Sequence, residues 1–115
     1  MATKQIFIEQ WSCKPTWLAL PREKKEAFAA GIAAAMGGLS EMGVRPLGWG
    51  FAAPSIDERS SYGFWAVWEM ETTAGLAAFM QGVRQSGWYD FFQQENTGGE
   101  AKSPAEVMSQ LIEVI

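Results

Sequence analysis

The chain has 115 residues, 48% of them apolar, a formal net charge of −4 and no histidine. That length suits a single domain with one core, and the negative balance argues against a nucleic-acid surface. Without histidine, Ser-His-Asp and Cys-His catalysis, histidine general bases, histidine-ligated haem and most zinc sites are excluded. The lone cysteine, Cys13, rules out an internal disulfide and has no base to activate it as a nucleophile. Met1 to Ile6 lacks the apolar run of a signal peptide, and nothing approaches the roughly 20 apolar residues of a membrane span. A cytoplasmic protein without a membrane partner is the expectation.

Residues 4–12 alternate as a first strand, with Ile6 and Ile8 on one face and Phe7, Glu9 and Trp11 on the other. A connector follows, with room for a helical turn after Thr16. Pro21 fits the first turn of a long helix running to about Met42, whose large apolar stripe is Phe28, Ile32, Leu39 and either Ala35 or Met36. Gly37-Gly38 weakens its last turns and Gly43 stops it.

A second strand spans 44–53, with Leu47, Trp49 and Phe51 sharing one face. Gly48 and Gly50 leave the other bare, which signals a bulge or a close approach, and Pro46 places the strand at an edge. The polar loop 53–61 leads to Ser61–Met70, an aromatic and β-branched run read as a central strand buried on both faces. Thr72 or Thr73 caps a second helix whose stripe is Leu76, Phe79, Met80 and Val83, ended by Gly87. Residues 88–96 read as a fourth strand by their aromatic content, although the first of them could extend the helix. Thr97–Lys102 reads as a flexible connector, with Gly98-Gly99 a linker. Ser103-Pro-Ala-Glu106 is a capping box opening a last helix with the stripe Val107, Met108, Leu111 and Ile115.

Strand, helix, strand, strand, helix, strand is two split βαβ units. That predicts an α+β, ferredoxin-like βαββαβ sandwich with an antiparallel sheet in the order 4-1-3-2 and helices on one face. Residues 1–115 form one domain in this reading, with 4–98 the core and 103–115 an appended helix. Phe7, Trp11, Trp49, Phe51, Trp65 and Val67 would make a very large apolar patch if all faced solvent. A homodimer packed through the open sheet face is therefore expected.

Trp17–Pro21, Tyr62–Trp68 and Gly87–Asn96 resemble an uncharacterised bacterial family, itself similar to the dimeric α+β barrel superfamily. The resemblance covers most of residues 4–98. It implies the barrel fold and a dimer. The superfamily's activities range over cofactor-independent monooxygenases, isomerases, haem-degrading enzymes, chlorite dismutases and stress-response barrels. None of their catalytic motifs carries over residue by residue.

The candidate catalytic pair is Glu9 and Glu69. Two carboxylates entering one apolar cavity would raise each other's pKa and fit one of them for proton transfer near neutral pH. The alternative is that both lie at strand ends, ion-paired or solvated. Trp11, Trp49, Trp65 and Trp68 are candidate ligand-binding rings, with core or interface packing as the other reading. Tyr89 and Asp90 are candidates for a cavity mouth. No metal and no cofactor is implied. Three functions stay open: a dimer binding a small apolar or aromatic ligand, a cofactor-independent monooxygenase or isomerase using a buried Glu, and a structural dimer with a filled barrel.

Overall fold

The computed structural model describes residues 4–114. Ile115, expected at the end of the last apolar stripe, lies outside them. The elements are β1 (Gln5–Cys13), α1 (Pro15–Leu18), α2 (Arg22–Met36), β2 (Val44–Phe51), β3 (Phe64–Met70), α3 (Thr73–Gln85), α4 (Trp88–Phe91), β4 (Phe92–Glu100) and α5 (Pro104–Glu113). The sheet order is β2-β3-β1-β4 with every pair antiparallel, the expected ferredoxin-like order read from the other edge. β3 and β1 are the inner strands.

Strand alternation divides the sheet into two faces. Phe7, Glu9 and Trp11 of β1 stand opposite Trp68, Ala66 and Phe64 of β3, and this face carries the helices. Its core holds Phe7, Trp11, Val44, Ala66, Trp68, Met70, Phe79 and Phe92. Trp65 and Val67 fall on the opposite face, where Val67 pairs with Ile8 and Trp65 with Gln10. The six residues expected to form one open apolar patch are thus split. Phe7 and Trp11 are buried under the helices, Trp49 and Phe51 point the same way, and Trp65 and Val67 remain on the open side. β3 is accordingly buried on one face and half-exposed on the other.

β2 lies at the edge, where the missing N–H of Pro46 is tolerated. Its pairing shifts between Pro46↔Trp68 and Gly48↔Val67, so Leu47 is the extra residue of a bulge. The bulge changes the phase of everything after it and turns Trp49 onto the helix-covered face beside Trp11 and Trp68. On the other face the Trp65 ring lies over the two bare positions. A Cβ on Gly50 would come within 2.6 Å of that ring and one on Gly48 within 3.3 Å.

The long helix ends at Met36, earlier than expected, at Gly37-Gly38. A separate 3-10 turn covers Ser40–Met42, and Gly43 stops it at φ 73. Trp88–Phe91 is helical, not the start of β4, because Gly87 at φ 84 turns the chain into a new helical turn. β4 instead runs on through Thr97-Gly98-Gly99-Glu100, the stretch expected to be a connector. Gly98 faces Phe7 across β1 with φ 154, and a Cβ there would sit 2.1 Å from the Ile6 carbonyl oxygen. Gly98 serves close strand approach.

α2 has no buried residue and is anchored by Phe28, whose ring meets those of Trp17 (5.7 Å) and Phe91 (5.1 Å). α5 begins at the expected capping box of Ser103 and Glu106, and none of its residues is buried. The Cα radius of gyration of 16.3 Å exceeds the roughly 13 Å of a compact chain this long.

Candidate functional site

Glu9 sits at the middle of β1, between the core residues Phe7 and Trp11, on the face the helices cover. Ala66 opposite it is fully buried and small, which leaves room for a carboxyl group in the layer between sheet and helices. Beyond that carboxyl a cavity of about 220 Å³ opens between α2, α3 and the sheet. Ile32, Met36 and Leu39 wall one side, Phe79, Gly82 and Val83 the other, and Trp49, Trp68 and Trp88 the sheet end. A neighbouring groove of about 500 Å³ shares Ile32, Met36, Trp49 and Trp88 and runs along α2 to Trp17 and Phe28. The cavity of about 220 Å³ lies between the size of one able to hold benzene, about 150 Å³, and that of drug-sized sites, about 300 Å³ upward.

The cavity exists because α2 is thin. Ala29, Ala33 and Ala35 line the space with methyl groups, and a Cβ added at Gly82 on α3 would meet nothing within 4 Å.

Glu9 is 4% exposed, and among the described residues no Lys or Arg forms an ion pair with it. Its carboxyl is held by donors instead. Trp68 Nε1 donates to Oε1 at 2.6 Å and Gln94 Nε2 donates to Oε2 at 2.7 Å. The Gln94 amide is itself oriented by Trp88, whose Nε1 donates to Gln94 Oε1 at 2.7 Å. The other Gln94 N–H reaches Asn96 Oδ1 at 2.7 Å, and Asn96 Nδ2 donates to the Tyr89 hydroxyl at 3.3 Å. Desolvation by burial pushes the Glu9 carboxyl above its usual range, and the bonds from Trp68 and Gln94 pull it back only in part.

Glu69 does not join it. Ile6 and Glu69 pair across β1 and β3 on the open face, so the two carboxylates lie on opposite sides of the sheet. Arg45 of β2 holds Glu69 by a hydrogen-bonded ion pair, and Lys4 adds a second cation at 3.4 Å. The Arg45 hydrogen bond, reinforced by the charges of Arg45 and Lys4, holds this carboxyl below its usual range. It is the ion-paired strand-end residue of the alternative reading.

The aromatic candidates divide in the same way. Trp49 and Trp68 line the cavity, with rings 5.5 Å apart and edge-to-face. Trp11 packs behind them, stacked on Phe64 and edge-on to Trp49 and Trp88. Trp65 is on the far face and donates its indole N–H to the Phe51 carbonyl at 3.2 Å. Tyr89 ends the polar chain, with the Arg84 guanidinium 5.3 Å from its ring centre. Asp90 stays exposed; its backbone oxygen accepts from the Thr16 hydroxyl at 2.6 Å and its backbone N–H donates to the Gly87 carbonyl at 3.0 Å. Gln94 and Trp88 were absent from the candidate residues. Gln94 stands across β1 from Trp11, next to the Glu9↔Asn96 pair, and would be found from sequence once that register is known.

A model of a family of unknown function, DUF6616, matches residues 4–114. The chain belongs to the DUF6616 family. None of the curated proteins matches this DUF6616 chain. Among solved structures it is similar to two mutant chlorite dismutases from Candidatus Nitrospira defluvii, each with a TM-score of 0.70, at 11% and 12% identity. The superpositions cover 90% and 95% of this chain but only 42% and 44% of the dismutases, so the chain spans less than half their length. At that identity the likeness shows the ferredoxin-like fold alone. No helix among the described residues is long and apolar enough to cross a membrane.

Proposed function

We propose that this DUF6616 protein binds a small, mostly apolar ligand in the cavity between α2, α3 and the sheet. The supporting observation is the buried Glu9 carboxyl, fixed by two donors at the end of an otherwise apolar space. Trp49, Trp68 and Trp88 offer flat surfaces for an aromatic or alicyclic ring. The raised pKa of Glu9 favours a second reading, in which it transfers a proton to or from the bound molecule as in a cofactor-independent oxygenase or isomerase.

The test is a screen of small aromatic and alicyclic compounds by tryptophan fluorescence, repeated on Gly82→Leu. Gly82 lines the cavity and a Cβ there meets nothing within 4 Å, so a Leu side chain has room to narrow the space, and removing a helical glycine favours α3 by about 1 kcal/mol. Saturable binding to the wild type that Gly82→Leu abolishes, with the variant still folded, is the expected result. Equal binding by the variant would place the ligand elsewhere and refute the proposal.

The binding unit in this reading is a homodimer. Ile6, Ile8, Trp65 and Val67 form an apolar strip on the uncovered sheet face. α5 and the residue after it expose Val107, Met108, Leu111, Ile112 and Val114. These five residues are 48–79% exposed, apolar surface that a second copy would cover. Light scattering is expected to give a dimer that the double substitution Leu111→Glu, Ile112→Glu shifts to monomer. A monomeric wild type overturns this part.

A further inference from the structure

We infer that the cavity selects a protonated amine: its ligand class is a small apolar or aryl ammonium ion whose N–H groups meet Glu9 inside a tryptophan-walled cage. The inference rests on the cavity reading above and adds the chemistry of the ligand's polar end.

The direction of the hydrogen-bond chain carries it. An indole N–H only donates, so Trp68 must give its proton to Glu9 and Trp88 must give its own to Gln94. With Gln94 Oε1 occupied by Trp88, the amide cannot turn over, and its NH2 side is committed to Glu9 and Asn96. Both Glu9 oxygens are therefore built to accept, one from each side. A carboxylate can accept about four hydrogen bonds, so lone pairs remain for a donor arriving from the cavity. A ligand carbonyl or carboxylate would instead require Glu9 to hold a proton and aim it inward, against a network in which every fixed partner donates.

Charge complementarity points the same way. Among the described residues Glu9 is the only ionisable side chain lining the cavity, and no Lys or Arg pairs with it. A buried carboxylate lacking a counter-ion is costly, and a cation delivered by the ligand removes that cost. Trp49, Trp68 and Trp88 line the same space, and an ammonium group seated over an indole face there would gain a further attraction.

Three ligands of nearly equal shape separate the possibilities: benzylamine, benzyl alcohol and phenylacetate, titrated into the full-length protein at about pH 8, where an alkylamine is still charged. Benzylamine is expected to bind at least about tenfold tighter than benzyl alcohol, with phenylacetate weakest. Glu9→Gln should erase the preference for the amine. Lowering the pH through the Glu9 titration should weaken the amine alone. Benzyl alcohol or phenylacetate binding as tightly as benzylamine to the wild type overturns the inference and leaves the cavity reading standing. Failure of all three to bind, or binding undiminished in Gly82→Leu, sinks the cavity reading and the inference with it. Because the ranking is measured on the wild type, the outcome does not depend on the stability of Glu9→Gln.

Discussion

Gln94→Met removes the central link of the polar chain while keeping an unbranched side chain of similar length. The wild-type amide donates to Glu9 and to Asn96, each at 2.7 Å, and accepts from Trp88 at 2.7 Å. A hydrogen bond to a charged group contributes about 1.5–3 kcal/mol and one between neutral groups about 0.5–1.5 kcal/mol. With Glu9 ionised the three lost bonds should therefore cost about 2.5–6 kcal/mol, and with Glu9 protonated about 1.5–4.5 kcal/mol. The penalty should be about 1 kcal/mol larger on the alkaline side.

The wild type supplies the matching slope. Burial raises the folded-state pKa of Glu9 above its ordinary value of 4.5. The folded chain thus holds this proton more tightly than the unfolded chain does. Its contribution is full below about 4.5 and is lost as the pH rises through the folded pKa, at up to about 1.4 kcal/mol per pH unit. Glu69 and Glu106 have lowered values. Their contributions are lost only as the pH falls below the ordinary value, in a separate window. Urea unfolding followed by tryptophan fluorescence from about pH 4 to about pH 9 reads the Glu9 window. Glu9→Gln should flatten the slope. A Gln94→Met penalty equal at both ends, or a wild type whose stability does not fall across the window, would refute the assignment of a buried, donor-held carboxyl.

Gly98→Ala and Gly99→Ala should differ sharply although both positions have positive φ, 154 and 145. The first places a methyl 2.1 Å from the Ile6 carbonyl oxygen and the second meets nothing within 4 Å. Thermal or urea unfolding is expected to show about 3 kcal/mol or more for Gly98→Ala against about 1–2 kcal/mol for Gly99→Ala; similar losses would mean the strands do not approach as closely as drawn. Glu69→Gln should leave every cavity ligand's affinity unchanged, because its carboxyl lies on the other side of the sheet. Its effect on stability should be a loss at neutral pH that disappears in acid, where wild-type Glu69 is itself protonated. A change in ligand affinity would restore the two-carboxylate site.

Much of the fold is legible because local signals agree. The alternation Phe7-Glu9-Trp11, the left-handed stops at Gly43 and Gly87 and the Ser103–Glu106 box each fix an element without tertiary help. The site is less legible for a specific reason. A period of two identifies which residues share a face but not which face the helices cover, so Glu69 looked as eligible as Glu9. The bulge at Leu47 then reverses the phase within one strand, and only the pairing reveals that Trp49 belongs with Trp68. Trp88–Phe91 shows a different limit. The strand preference of aromatic residues reflects packing on a sheet, and these rings satisfy it from a helical turn, with Trp88 against Phe92 at 4.3 Å.

The cavity and the carboxyl are better understood together than apart. An Ala-rich α2 pinned by Phe28 leaves its Ile32–Met36 end, and Leu39 beyond it, over an unfilled space above the sheet, which would ordinarily favour collapse onto an apolar strand. The strand presents a carboxyl there instead, one that requires Trp68, Gln94 and, through Gln94, Trp88 to hold it in place. An apolar side chain at position 9 would fill part of the space and avoid the desolvation cost. Stability alone therefore accounts poorly for Glu9, whereas a ligand that fills the cavity and presents a donor to that carboxyl accounts for the gap and the charge at once.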